Sequence, residues 1–103
     1  MRTIISIEKN TISYEEFEKI IQETKIPIQE IVIGGRKVDI EFGKRLAETL
    51  KVPIRIFKPN KNEQMVKRAD TLIGIWKNAD GEMKDILSRA NRCGLKIMIR
   101  MVG

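Results

Sequence analysis

Short apolar runs with the character of β-strands alternate with helical patterns from one end of this chain to the other. The predicted strands cover residues 3–7, 30–33, 54–57, 71–76 and 95–101. Strands that alternate with helices form parallel βαβ units, because a parallel connection has to return to the opposite end of the sheet. The 103 residues are enough for one domain and too few for two. The sequence therefore predicts a single α/β domain over residues 1–103 with a mainly parallel, five-stranded sheet.

The apolar character of the strands also predicts their order in the sheet. The first, second and fourth predicted strands are almost continuously apolar, as is typical of strands that helices cover on both faces. Charged residues interrupt the third and fifth strands, which is typical of edges. We therefore predict a Rossmann-like three-layer α/β/α domain with strand order 3-2-1-4-5. Such sheets bind ligands where the strand order reverses, which here means residues 8–10, 34–39 and 76–82.

Residues with capping chemistry stand where the predicted helices begin and end. Ser13 is a candidate N-cap of the first helix, and Glu16 completes a capping box with it. Asn62 and Asp80 are candidate N-caps of the third and fourth helices. Gly94 is placed to end the fourth helix.

The composition excludes several kinds of chemistry. Histidine is absent, which excludes Ser-His-Asp and Cys-His nucleophiles and most zinc sites. Cys93 is the single cysteine, so an internal disulfide is excluded, and its place at the end of an apolar helical stripe predicts a buried side chain. A signal-peptide pattern and a long apolar stretch are both missing, so we expect a cytoplasmic protein with no membrane partner.

The charge balance favours anionic partners without naming one. Twenty basic residues against fourteen acidic ones leave a net charge of +6. A positive surface attracts nucleotides, nucleic acid and phosphates. The same charge on a small domain also serves to keep it in solution. The basic residues are scattered along the sequence, so charge alone does not decide between these interpretations.

The glycine pair Gly34-Gly35 ends the second predicted strand and precedes a helix. Glycines there let the backbone come close to a ligand, and the first N–H groups of the helix are free to bind an anion. Arg36 and Lys37 add positive charge at the same turn. A tight strand-to-helix turn needs glycine in any case, so a purely structural role stays open. The turn matches neither the dinucleotide fingerprint nor the Walker A loop.

Four other residues near the predicted ligand edge each allow two interpretations. Asp39 is a candidate N-cap of the second helix or a ligand contact. Trp76 belongs either to the core or to a surface where it stacks on a base. Asp80 is a cap or a pocket residue, and Glu82 stands in the first turn of a helix, where the helix dipole favours a carboxylate.

Three segments resemble the SLOG superfamily, and within it the small YspA-like branch. They are Ile-Val-Ile-Gly-Gly-Arg-Lys-Val-Asp at residues 31–39, Asn-Glu-Gln-Met-Val-Lys-Arg-Ala-Asp at 62–70, and Leu-Ile-Gly-Ile-Trp at 72–76. They occur in the order that the branch shows, and the resemblance covers most of the chain. It implies a Rossmann-like domain that binds nucleotides or nucleotide-derived ligands, distantly related to the DNA-processing protein DprA and to cytokinin-activating phosphoribohydrolases.

The resemblance also implies which residues form the pocket. One wall comes from the glycine turn, a second from the short third helix, and a third from the loop after the fourth strand. The implied residues are Gly34, Gly35, Asp39, Asn62, Met65, Asp80, Gly81 and Glu82. Arg36, Lys37 and Trp76 join them as candidates because of their positions along the chain.

The chain departs from the family at positions that matter for catalysis. Residues 7–10 read Ile-Glu-Lys-Asn in place of a Gly-Ser-Arg turn, and Glu82 stands where the family has Thr or Ser. The Pro-Gly-Gly-x-Gly-Thr signature of the phosphoribohydrolases is absent. We therefore predict non-enzymatic binding or sensing of a nucleotide or nucleotide-derived anion, with no cofactor and no metal.

Two alternatives and one property stay open. A nucleic-acid or protein-interaction module would have kept the fold and lost the pocket. A nucleotide hydrolase would use Glu82 or Asp80 as its acid-base group. The sequence does not define the oligomeric state, and it is compatible with a homo-oligomer.

Overall fold

A computed structural model describes residues 1–102, and in this part of the chain five strands alternate with four helices. Strands and helices follow the predicted order closely. The elements are β1 Arg2–Ile7, α1 Tyr14–Thr24, β2 Glu30–Ile33, α2 Lys37–Leu50, β3 Ile54–Ile56, α3 Asn62–Arg68, β4 Thr71–Trp76, α4 Gly81–Arg92 and β5 Lys96–Met101.

The five strands form one sheet in the order β3-β2-β1-β4-β5, and every pairing is parallel. The predicted order and the Rossmann-like α/β architecture are confirmed. The predicted edges are also correct, because β3 and β5 carry the exposed apolar side chains Ile56 and Met101 while β1, β2 and β4 are buried. The strand order reverses between β1 and β4, so the carboxyl ends of these two strands mark the expected ligand crevice.

Alternate residues of the sheet face two separate helix layers. Ile5 and Ile33 face α1 and α2, where Phe17 and Phe42 lie with ring centroids 5.4 Å apart. On the opposite face Ile4, Val32 and Trp76 pack against α3 and α4. Burial on both faces explains the continuous apolar runs of the three central strands. Across residues 1–102, no helix combines the length and the apolar character that crossing a membrane requires.

Two predicted helix caps are confirmed. The N–H of Glu16 donates to Ser13 Oγ at 3.2 Å, and the N–H of Met83 donates to Asp80 Oδ1 at 3.1 Å. Gly94 follows α4 with a φ of 73°, the left-handed conformation that glycine adopts without a steric penalty. Local chemistry therefore defines the start of α1 and both ends of α4.

Two other local predictions are wrong. Asn62 does not cap α3, because it is the first residue of the helix and Lys61 is at the N-cap position. The Asn62 amide reaches across to Asp85 on α4, with Nδ2 donating to Oδ2 at 3.0 Å. Cys93 is exposed, not buried. The buried stripe of α4 ends at Ala90, and the chain turns at Gly94 toward β5, so Cys93 has already left the interface between helix and sheet.

Gly74 in the middle of β4 makes room for the indole of Trp76. A Cβ atom at Gly74 would lie 2.8 Å from two indole carbons and 2.8 Å from Cδ1 of Ile99. We expect Gly74→Ala to destabilise the fold by about 1–3 kcal/mol, the usual cost of overpacking a core. Urea unfolding followed by tryptophan fluorescence measures this change.

Gly81→Ala is the matched control for that substitution. A Cβ atom at Gly81 meets no other atom within 4 Å, and the residue opens α4. We expect this variant to be as stable as the wild type or up to about 1 kcal/mol more stable, because alanine favours a helix. A Gly74→Ala variant that unfolds at the same urea concentration as Gly81→Ala would show that the core absorbs the methyl group freely.

Candidate functional site

A cleft of about 600 Å³ opens at the carboxyl ends of the strands, above the point where the strand order reverses. Three segments form its walls: the turn after β1, the start of α2 and the start of α4. The side chains of Lys9 and Lys37 stand on the rim, and Ile12, Val38 and Phe42 supply apolar surface. The carboxylates of Glu8, Glu41, Asp80 and Glu82 also line the cleft. The cleft therefore combines charges of both signs with a surface on which an apolar ring can lie.

Four of the predicted site residues line this cleft. Arg36 and Lys37 come from the start of α2, and Asp80 and Glu82 come from the start of α4. The two pairs belong to helices on opposite faces of the sheet. They meet only because the first turns of both helices flank the end of β1.

The guanidinium group of Arg36 contacts residues from all three walls of the cleft. Its Nη2 donates to the carbonyl oxygen of Ile7 at the end of β1. Its Nε lies 3.4 Å from Asp39 Oδ2, and its Nη1 lies 3.9 Å from Glu82 Oε2. The guanidinium therefore has partners within the chain on three sides, and its charge stabilises the site itself.

Asp39 is buried and also binds the end of β1. Its Oδ1 accepts a hydrogen bond of 2.8 Å from the N–H of Ile7. The interpretation of Asp39 as an N-cap is wrong, because Arg36 precedes the first residue of α2 and no side chain caps this helix. The first N–H groups of α2 are therefore left uncapped beside the cleft.

The end of β2 explains why the backbone N–H and carbonyl groups of Ile7 bond to side chains. Successive residues of a strand direct their backbone groups to opposite neighbours, and Glu8 donates its N–H to Ile75 on β4. Ile7 therefore faces the side of β2, but β2 ends at Ile33. Side chains from the start of α2 take the place of the missing strand.

Burial raises the pKa of the Asp39 carboxyl to about 6, because a charged group loses its hydration there. The guanidinium of Arg36 and the N–H of Ile7 oppose this change by favouring the carboxylate. Glu82 adds to the burial effect through its own negative charge. Asp39 is thus a buried group whose protonation changes close to neutral pH.

A second, much smaller cavity of about 20 Å³ lies behind the cleft. Its volume suits about one water molecule. Ser6, Asp39 and Glu82 contribute polar groups to its wall. Other predicted site residues also line it, namely Gly34, Arg36, Asn62 and Met65. The structure therefore gathers much of the predicted set around a small internal space.

The two glycines have different structural roles, and neither adopts a positive φ. A Cβ atom at Gly35 would lie 2.7 Å from Cδ of Pro59, so this position needs glycine because the turn after β3 packs against it. At Gly34 a Cβ atom would meet Met65 Sδ at an ordinary distance of 3.6 Å. Packing against the protein itself therefore explains Gly35, and it does not require glycine at Gly34.

Two further candidates lie away from the cleft surface. Trp76 is only 1% exposed, and its Nε1 donates to Ser6 Oγ at 3.2 Å inside the layer formed with α3 and α4. The indole is thus a core group, and the interpretation of Trp76 as a stacking surface for a base is wrong. Gly81 is exposed at the start of α4, where its surroundings are open.

The most densely bonded acidic residue of the site is Glu8, which lies in the predicted ligand edge at residues 8–10 but was not one of the individual candidate residues. Its Oε1 accepts hydrogen bonds from the N–H groups of Lys77, Asn78 and Ala79 at 3.0, 2.9 and 2.9 Å. These hydrogen bonds lower the pKa of Glu8, and the bond from Ala79 has the largest effect. The charge of Arg36 acts in the same direction. A sequence signal existed, because Glu8 directly follows β1 and the predicted strand order brings it beside the turn after β4.

Comparisons with known proteins add no family to these observations. No protein-family model, curated protein or solved structure matches the chain. The resemblance to the SLOG superfamily therefore stays a prediction. Within the described residues 1–102, no three or more acidic, histidine or cysteine side chains come together in a way that could hold a metal ion.

The raised pKa of Asp39 predicts that the protein gains stability on mild acidification. Between the folded pKa of about 6 and the ordinary value of 3.8, the folded protein holds a proton at Asp39 that the unfolded chain has released. The difference between the two values corresponds to at most about 3 kcal/mol. Urea unfolding at a series of pH values measures this gain.

Asp39→Asn is the control, because asparagine accepts the Ile7 N–H without titrating. We expect this variant to lose the gain in stability between about pH 6 and 4.5. The lowered pKa values of Glu8, Glu30 and Glu63 begin to reduce stability as the pH falls below about 5.5, one unit above their ordinary value of 4.5. This loss occurs in both proteins and cancels when their pH profiles are compared. An equal pH dependence in both proteins would contradict the assignment to Asp39.

Proposed function

We propose that the protein is a non-enzymatic binding domain for a nucleotide or a similar anionic small molecule, held in the cleft between the turn after β1 and the starts of α2 and α4. One observation carries the proposal: a cleft of about 600 Å³ lies at the strand ends beside the reversal of strand order. Small-molecule sites have volumes of roughly 300–1,000 Å³ and favour this position in parallel sheets.

The charges around the cleft support an anionic ligand. Lys9 and Lys37 are exposed on its rim, and no side chain caps the N-terminus of α2 between them and the sheet. A helix N-terminus favours negative charge, and two ammonium groups beside it add to this field. The ligand would place its anionic group here, with a ring system against Val38 and Phe42.

The acidic side chains support binding over hydrolysis. Asp80 accepts the N–H of Met83 and is engaged in capping α4, and Asp39 lies below the cleft with Ile7 and Arg36 as partners. Catalysis by a general acid and a general base needs two groups that can reach the reacting bond. Glu82 lies beside the guanidinium of Arg36, and Glu8 accepts the N–H groups of residues 77–79. The remaining carboxylate of the lining, Glu41, therefore has no unengaged acid with which to form such a pair. The resemblance to the SLOG superfamily implies the same edge of the sheet for the ligand.

A thermal unfolding screen with nucleotides, nucleosides and cyclic nucleotides tests the proposal. A ligand that binds only the folded state raises its melting temperature, and we expect at least one anionic member of the panel to do so. Lys37→Gln should then weaken binding of that member roughly tenfold, because a charge-assisted hydrogen bond contributes about 1.5–3 kcal/mol. Isothermal titration calorimetry measures the affinity.

Lys19→Gln is the matched control for Lys37→Gln. Lys19 is exposed on α1, away from the cleft walls, so this variant makes the same change in net charge. We expect it to keep the wild-type affinity. If no nucleotide changes the melting temperature of the wild-type protein, the proposal is wrong, and salt-dependent binding of an oligonucleotide in its place would favour a nucleic-acid module.

A further inference from the structure

The turn between β4 and α4 presents a row of backbone donors to one carboxylate. The N–H groups of Lys77, Asn78 and Ala79 all point at Glu8 Oε1, and Asn78 also approaches Oε2 at 3.2 Å. Consecutive N–H groups arranged in this way form a nest that binds oxyanions. We use the name "β4 nest" for residues 77–79. Its occupant is an acidic side chain of the same chain.

The backbone of the β4 nest adopts an unfavourable conformation that the Glu8 carboxylate offsets. Ala79 has a φ of 57°, in the left-handed region that residues with a side chain rarely adopt. Such strain persists where the surrounding contacts favour it, and here it turns the N–H of Ala79 toward Glu8 Oε1. The lowered pKa of Glu8 agrees with a carboxylate that stays charged in this position.

The two oxygens of Glu8 are not equally occupied. Oε1 accepts three hydrogen bonds, whereas Oε2 has only the longer contact with Asn78. A carboxylate oxygen can accept two or more donors, so Oε2 has capacity for a further donor. Glu8 lines the same cleft as Val38 and Phe42. The Glu8 end of the cleft therefore repels an oxyanion and accepts a hydroxyl or amino group.

We propose that Glu8 is a specificity-determining residue of the cleft: it fills the β4 nest in place of a ligand oxyanion and selects ligands that offer hydroxyl or amino donors there. The inference rests on the proposed function insofar as it concerns the ligand of the cleft. The ligand's anionic group then lies beside Lys37 at the N-terminus of α2, and a ligand that places a second anionic group at the β4 nest is excluded. A sugar phosphate or a nucleotide with one phosphate group has the matching chemistry.

Inorganic phosphate provides a test that does not depend on the identity of the ligand. In Glu8→Ala the β4 nest loses its occupant, and we expect phosphate to shift the amide resonances of Lys77, Asn78 and Ala79 in an NMR titration. Phosphate should bind there roughly tenfold or more tightly than to the wild-type protein. Glu41→Ala is the matched control, because it removes a carboxylate from the same cleft without touching the nest. It should respond to phosphate as the wild type does.

Two results would overturn the proposal. One is a Glu8→Ala protein whose nest amides ignore phosphate, and the other is a wild-type protein whose nest amides respond as strongly as those of the variant. If Glu8→Ala does not fold, Glu8→Gln removes the charge and keeps an acceptor for the N–H groups, and it should respond to phosphate more strongly than Glu41→Ala. If Glu8→Gln and Glu41→Ala respond equally to phosphate, the proposal for Glu8 is wrong.

The outcome for Glu8 and the outcome for the proposed function are separable. A phosphate response confined to the Glu8 variants, together with a nucleotide screen that fails on the wild-type protein, would support the β4 nest and contradict nucleotide binding. If the screen finds a ligand, an analogue of it with a second phosphate group provides a further test of Glu8. The wild-type protein should reject that analogue, and Glu8→Ala should bind it.

Discussion

The end of β1 depends on side chains in place of a neighbouring strand. Beyond Ile33 the second strand has ended, and the backbone groups of Ile7 that face its side are paired with Asp39 and Arg36. An unpaired backbone group in a buried position costs free energy comparable to a lost hydrogen bond. These two side chains therefore supply the hydrogen bonds that a neighbouring strand would otherwise make. Because they start α2, they also define where the helix begins relative to the strand. The cleft above them exists because β2 has already turned away.

Groups of the chain itself also engage most of the charges in the site. Arg36 bonds Ile7 and approaches both Asp39 and Glu82, and Glu8 satisfies the turn after β4. Each charge has an internal partner, and within residues 1–102 no buried side-chain nitrogen or oxygen lacks one. The charges left for a ligand are the lysines on the rim, the carboxylate of Glu41 and the second oxygen of Glu8. The net charge of +6 is therefore a poor guide to the site, since the Arg36 guanidinium serves the fold.

Most of the fold could be predicted, and the two wrong helix caps share one physical origin. Hydrophobic periodicity and local caps predicted the elements, and the contrast between apolar and charged strands predicted the sheet order. Asn62 and Asp39 resemble helix caps in sequence, yet both side chains bond to partners on other elements, Asp85 and Ile7. Trp76 could be a core residue or a ligand surface from its position alone. Its place in the core depends on Gly74 and Ser6, which leave room for the indole and accept its N–H.

The sequence by itself determined the α/β class, the strand order and the edge of the sheet that carries the cleft, because these depend on short-range periodicity and on burial of each strand. It placed Lys37, Asp80 and Glu82 at that edge for the same reason. Only the tertiary structure decided which polar groups are used internally. That choice depends on how far β1 runs past the end of β2 and on the distance from Glu8 to residues 77–79. Both are relations between segments that lie far apart in the sequence.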